Sequence, residues 1–172
     1  MRSNCCRWWT SAHLSWSRSS PLRTRSHMSQ PVVSSRKKIY LSGPIMDEHL
    51  QAARTWRERA QERLSDAFVL LDPMRRDFQD REFDSANEIV EFDLQDVRDA
   101  DLLLVNYNRA SIGTSMEVFY AAHDLGKFIV AFSPIPFKEC SPWMVRFCTK
   151  ILPALDDAIV YIREHFIQRH IA

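Results

Sequence analysis

Asp101-Leu102-Leu103-Leu104-Val105-Asn106 is apolar through four consecutive positions, and a strand apolar on both faces belongs inside a parallel sheet with helices above and below it. On its N-terminal side, about Ser85 to Asp99 sets Ile89, Val90, Leu94 and Val97 inward at helical spacing, with Glu91, Gln95 and Asp99 facing water. On its C-terminal side a helical pattern runs from about Thr114 to Leu125, Gly126 is placed to cap it, and Phe128 to Phe132 reads as a strand. Farther upstream, the strand-like run Lys38 to Ser42 is stopped by Gly43-Pro44, and Ala53, Trp56, Ala60 and Leu64 then share one helical face. Ala67 to Leu71 reads as another strand, ending at Asp72-Pro73, and a last amphipathic helix covers about Leu155 to Gln168. Alternating strands and helices predict a single α/β domain over residues 36–172. Its sheet is doubly wound and mainly parallel, Rossmann- or flavodoxin-like, with helices on both faces. Ligands bind such sheets beyond the carboxyl ends of the strands, which points to the loops 42–46, 72–84 and 106–114.

A chain of 172 residues that is 45% hydrophobic can bury one sizeable core. Its formal net charge of +1 averages two unlike parts, because residues 1–30 hold five arginines and no acid. The remainder carries 18 basic and 22 acidic residues. A mildly acidic body without a basic stripe argues against nucleic acid as a partner. No apolar run approaches the roughly 20 residues that span a bilayer, so no membrane is expected. Cys5 with Cys6, and Cys140 with Cys148, form neither a disulfide framework nor a zinc spacing, which suggests a reducing, cytoplasmic compartment. The first thirty residues, with eight serines, five arginines and three tryptophans, show no apolar period, and residues 1–35 are expected to be a disordered extension. Such a composition fits a mitochondrial transit peptide, an extension upstream of a start at Met28, or an expression remnant alike. Only three glycines occur; Gly43 and Gly113 are expected in loops leaving strand ends, where backbone turns sharply or approaches a ligand. With no Gly-x-Gly-x-x-Gly and no Walker-type loop, a dinucleotide or nucleoside triphosphate cofactor is not expected.

Two carboxylates stand out. Asp93 lies four residues after Ile89 and four before Val97, which projects it from the apolar face of its helix. Burying a carboxylate costs several kcal/mol unless it is paired, so Asp93 is either a satisfied structural group or a functional one. Glu117 is embedded in Ser115-Met116-Glu117-Val118-Phe119-Tyr120-Ala121-Ala122, where the bland reading is a capping box, Thr114-x-x-Glu117. A carboxylate at a helix start is also held ionised by the helix dipole, which would suit a nucleophile.

Several segments together resemble the nucleoside 2-deoxyribosyltransferase family in order and spacing over roughly residues 38–133. They are Tyr40-Leu41-Ser42-Gly43-Pro44-Ile45, Trp56-Arg57, Leu71-Asp72-Pro73, Ile89-Val90-Glu91-Phe92-Asp93-Leu94, Asp99-Ala100-Asp101, Gly113-Thr114-Ser115-Met116-Glu117 and Gly126-Lys127. The resemblance implies that Glu117 attacks the anomeric carbon of a nucleoside or nucleotide through an oxocarbenium-like transition state, as in retaining glycosidases. It also implies that Asp93 assists protonation of the departing base or orients the groups that do, and that another base or water completes the displacement. No metal or organic cofactor is needed. Tyr40 and the Ser42-Gly43-Pro44 loop are expected to contact base and sugar, with Asp72 close by and Gly113-Thr114 in the turn before the nucleophile. Relatives are homo-oligomers whose neighbouring subunits help close the site.

One departure bears on substrate. Transferases of free deoxynucleosides carry an acid six positions before the nucleophile, whereas this chain has Ser111. Related hydrolases of nucleoside 5′-monophosphates have serine there, and a hydroxyl beside backbone amides at a helix start suits a phosphate. Arg75, Arg76 and Arg109 could add positive charge, or be solvated surface residues. Three functions follow: deoxyribosyl transfer between bases, hydrolysis of a nucleoside 5′-monophosphate to base and sugar phosphate, and a non-catalytic nucleotide-binding module.

Overall fold

Five strands, Lys38–Ser42 (β1), Val69–Leu71 (β2), Leu102–Asn106 (β3), Phe128–Phe132 (β4) and Lys150–Leu152 (β5), pair in parallel throughout in the order β2-β1-β3-β4-β5. The computed structural model describes residues 36–45 and 50–167. The expected disorder of residues 1–35 and the end of the last helix at Gln168 lie outside the described residues. The helices are α1 (Leu50–Leu64), α2 (Ala86–Asp99), α3 (Ile112–Phe119), α4 (Pro142–Phe147) and α5 (Leu155–Phe166). All described residues fall within one compact unit, Ser35–Ala172.

The twofold alternation of side chains along a strand divides the core into two layers. Ile39, Leu41, Leu102, Leu104, Val130 and Phe132 pack with Trp56, Ala60 and Leu64 of α1 and Ala158, Ile159 and Ile162 of α5. Tyr40, Leu103, Val105, Ile129 and Ala131 face the other way, onto Val97 of α2, Val118 of α3 and Met144 of α4. The expected doubly wound α/β fold, Rossmann- or flavodoxin-like with helices on both faces, is therefore the observed one. From β1 the chain passes through α1 to β2 at the edge, then returns through α2 to β3 on the opposite side of β1. The order reverses between β1 and β3, and folds of this kind bind ligands at the carboxyl ends of the strands beside such a reversal.

Several boundaries differ from expectation. The strand at Ala67 begins only at Val69, because the amides of Ala67 and Phe68 donate to Leu64 O and close the end of α1 instead. Val90, expected inward, is 53% exposed, whereas Val97 is buried as expected and Asp96 is buried beside it. The helix expected from Thr114 starts at Ile112 and changes to a π turn over Tyr120–Asp124, which ends where Gly126 adopts φ 60° and Lys127 N donates to Ala121 O. Gly113 consequently sits in the first turn of α3 rather than in a loop. β5 and α4 were not expected: β5 offers two apolar residues between Lys150 and Pro153, too few to register as a strand, and edge strands are often this short.

Candidate active site

Tyr40 and Ser42 are two residues apart on β1, so both hydroxyls project from the same face of the sheet, toward α3. Tyr40 Oη donates to Glu117 Oε1 at 2.9 Å and Ser42 Oγ donates to Glu117 Oε2 at 2.5 Å. Each carboxylate oxygen of Glu117 thus has its own hydroxyl, at the carboxyl end of β1. Thr114 is the third residue of α3 and Ser111 is its N-cap, so the capping box expected from Thr114-x-x-Glu117 does not form. The expectation that a helix start holds Glu117 ionised fails for the same reason, since the residue lies beyond the first turn, where the dipole's effect fades. Burial instead pushes the Glu117 carboxyl up to about 7, the nearby charge of Asp93 adding to it while the hydroxyls of Ser42 and Tyr40 oppose it. Tyr40 is raised well above its ordinary value, first by burial and then by the charge of Glu117.

Asp93 projects from α2 into the same region. Burial raises it to about 6, with Asp96 adding and Arg76, Arg75 and Arg57 opposing. Asp96, one helical turn on, is buried and takes Arg75 Nη2 on both oxygens at 2.6 and 2.7 Å, and Arg76 Nη2 at 2.8 Å. Arg76 Nη1 lies 3.7 Å from Asp93 Oδ1. The two arginines expected to add positive charge for a substrate are therefore already matched by two aspartates.

The β1–α1 loop is fixed from beneath. Gly43 and Pro44 are both buried; a Cβ on Gly43 would lie 2.9 Å from Trp56 Cζ2 and 3.0 Å from Asn106 Cβ, so only glycine lets the loop cross here. Arg57 is 1% exposed and donates to Ala53 O at 2.7 Å and to Gly43 O at 3.0 Å, while its Nε lies 3.3 Å from Asp72 Oδ1. Burial lowers its basicity and Asp72 opposes that shift. Asp72 in turn accepts from Met74 N at 2.9 Å, capping the turn Pro73–Arg75 after β2. Asp72 thus touches the site through Arg57.

Ser111 has an extended backbone and its side chain makes no capping hydrogen bond, while its carbonyl accepts from Ser115. Thr114 is buried, and a Cβ on Gly113 would meet nothing within 4 Å. Arg109 is half-buried on the loop between β3 and α3. Arg57 and Asp96 were not singled out as site residues, although Arg57 lies on the apolar stripe of Ala53, Ala60 and Leu64 and Asp96 lies beside Val97. Their spacing was the available signal.

Known proteins share this fold. Among solved structures, the fold is similar to a 2-deoxyribosyltransferase from Bacillus psychrosaccharolyticus, with TM-score 0.56 and 21% identity over 71% of this chain and 90% of that one. It is also similar to a conserved protein from Enterococcus faecalis, with TM-score 0.60 and 15% identity over 77% of this chain and all of that one. A CMP N-glycosidase from Clostridium botulinum aligns with TM-score 0.52 and 16% identity over 76% of this chain and all of that one. No curated protein sequence matches. The sequence profile described as nucleoside 2-deoxyribosyltransferase like matches residues 36–134, which is more than half of the chain and includes every candidate site residue named above, and the chain belongs to that family.

Proposed function

We propose that this protein cleaves the N-glycosidic bond of a nucleoside or nucleotide through a glycosyl ester on Glu117 and passes the sugar to another base. The observation that carries this reading is the grip of Tyr40 and Ser42 on the two oxygens of Glu117 at the carboxyl end of β1. A carboxylate held at both oxygens is oriented before the substrate arrives, and a fixed near-attack geometry is worth several kcal/mol. A Glu117 oxygen bonds to the anomeric carbon as the carbon–nitrogen bond breaks; the electron pair leaves on the base nitrogen, which takes a proton from Asp93. An acceptor base then attacks the same carbon, loses a proton to Asp93 and releases the Glu117 carboxylate. With Glu117 near 7 and Asp93 near 6, the pair holds about one proton between those values, and turnover requires that proton on Asp93.

The second reading is hydrolysis of a nucleoside 5′-monophosphate, favoured by the uncommitted Ser111 hydroxyl at the start of the helix that carries Glu117. The likeness to a CMP N-glycosidase agrees with it. The two readings separate when the protein is incubated with 2′-deoxynucleosides, ribonucleosides and their 5′-monophosphates, with and without an acceptor base, and products are resolved by chromatography. New nucleoside without free sugar supports transfer; free base and sugar phosphate without an acceptor support hydrolysis. No bond cleavage with any of them would leave the binding-module reading and overturn both. The reading also carries homo-oligomerisation, in keeping with the exposed apolar flank of Ile112, Met116 and Phe119 on α3 with Trp143 on α4, and sedimentation tests it.

A further inference from the structure

The group that stands over Asp93 is itself unusually constrained. Arg76 leaves the turn after β2, lays its guanidinium over the Phe92 ring at 4.5 Å and gives Nη2 to Asp96 at 2.8 Å. Asp96 cannot swing away, because it is buried and held at both oxygens by Arg75, whose Nη1 also donates to the carbonyl of Asp72 at 2.7 Å. The guanidinium is planar, so fixing one edge and one face fixes the other edge. That other edge is Nη1, which is buried, has no hydrogen-bond partner and lies 3.7 Å from Asp93 Oδ1.

We infer that Arg76, clamped by Asp96 and Phe92, is a positioning residue that fixes the orientation and the charge state of Asp93. This inference deepens the proposed glycosyl-transfer reading and rests on it for the meaning of Asp93. The groups facing Asp93 are Asp96 on its own helix, Arg75 and Arg76 from the loop after β2, Arg57 from α1, Glu117 from α3 and Tyr40 from β1. Of the cations, Arg76 has the largest effect and opposes the upward push of burial. An opposite charge at this range lowers a carboxyl by about 1–3 units, so its removal raises Asp93 by a similar amount. With Arg76 present the shared proton is biased toward Glu117 in the free protein. Without it the proton shifts to Asp93 and stays there to higher pH.

The test uses the full chain labelled with carboxyl-13C aspartate, with Asp93 assigned by its loss in Asp93→Asn. NMR titration should show the Asp93 midpoint rising by about 1–3 units in Arg76→Gln. In Arg76→Lys, whose single ammonium cannot serve Asp96 and Asp93 together, it should rise by less. The alkaline limb of kcat/KM for whichever substrate of the panel is cleaved should move with it. An Asp93 midpoint unchanged from wild type in folded Arg76→Gln, or in Arg76→Lys should the first variant not fold, would overturn the inference. A midpoint that moves in a protein that cleaves no member of the panel upholds the role of Arg76 and rejects the glycosyl-transfer reading instead.

Discussion

Glu117 is the residue on which the chemistry turns, and its environment makes two separable demands on an experiment. Glu117→Gln preserves size and keeps one oxygen to accept from Tyr40 or Ser42 while its amide nitrogen donates to the other hydroxyl, so the fold should persist while turnover drops by on the order of 10³-fold or more. Measured with normal circular dichroism, activity near wild type would exclude a covalent path through this side chain. The second demand concerns pH: chemistry needs Glu117 ionised and Asp93 protonated, so kcat/KM should follow a bell with limbs near 6 and 7. Those limbs belong to the coupled pair rather than to either residue. A rate that is flat between pH 5 and 8 would show that the two carboxyls do not share the proton. Ser111 decides between the two substrates. Ser111→Asp should lower efficiency on 5′-monophosphates by at least ~10-fold, roughly 1.4 kcal/mol, by placing like charge beside the phosphate. It should spare or improve activity on free deoxynucleosides, and equal loss on both classes would remove Ser111 from any phosphate site.

Elements differ in how plainly their sequence announces them. β3 could be read directly because four apolar residues in a row allow little besides a buried strand, and α1 because Ala53, Trp56, Ala60 and Leu64 keep one face. β5 could not, since its pairing with β4 rests on backbone bonds such as Ser133 N to Leu152 O, which leave no apolar pattern. The same division holds in the site. Glu117 and Asp93 were visible as acids in apolar company, but that Tyr40 and Ser42 would each take one oxygen of Glu117 depends on how β1 lies against α3, a contact across 75 residues or more. Gly43 and Gly113 show the contrast again. Gly43→Ala forces a Cβ to within 3.0 Å of Trp56 and Asn106, so it should destabilise the fold by about 1–3 kcal/mol. Gly113→Ala meets open space in the first turn of α3 and should leave the fold as stable or up to ~1 kcal/mol more so. If a ligand approaches that turn closely, Gly113→Ala raises KM without lowering the melting temperature. Thermal melts of both variants, read beside KM, check the pair.

At the scale of the whole molecule, the site sets the pH dependence of stability. In the unfolded chain Glu117 titrates near the usual ~4.3, whereas in the fold burial holds it at about 7. Between those values the folded form binds a proton that the unfolded form has already lost. Stability therefore falls as pH rises through this window, and above about 7 the fold carries the full cost of an ionised, desolvated carboxylate. Asp93, raised to about 6, acts in the same direction over a narrower range. The ion pairs of the surface pull the opposite way: Asp66 with Arg163 and Asp156 with Arg59 hold those carboxyls below their usual range, so their contribution is present at neutral pH and lost only on acidification. Being exposed, they are screened and weak. Removing the buried carboxyl should then stabilise the protein where it is charged and nowhere else. We expect Glu117→Gln to melt a few °C above wild type at pH 8, equivalent to ~1–2 kcal/mol, with the gain disappearing by about pH 4–5. Differential scanning calorimetry across that range supplies the measurement. A gain that is constant with pH would trace to packing rather than to charge, and no gain at pH 8 would mean that Tyr40 and Ser42 already offset the whole desolvation of Glu117.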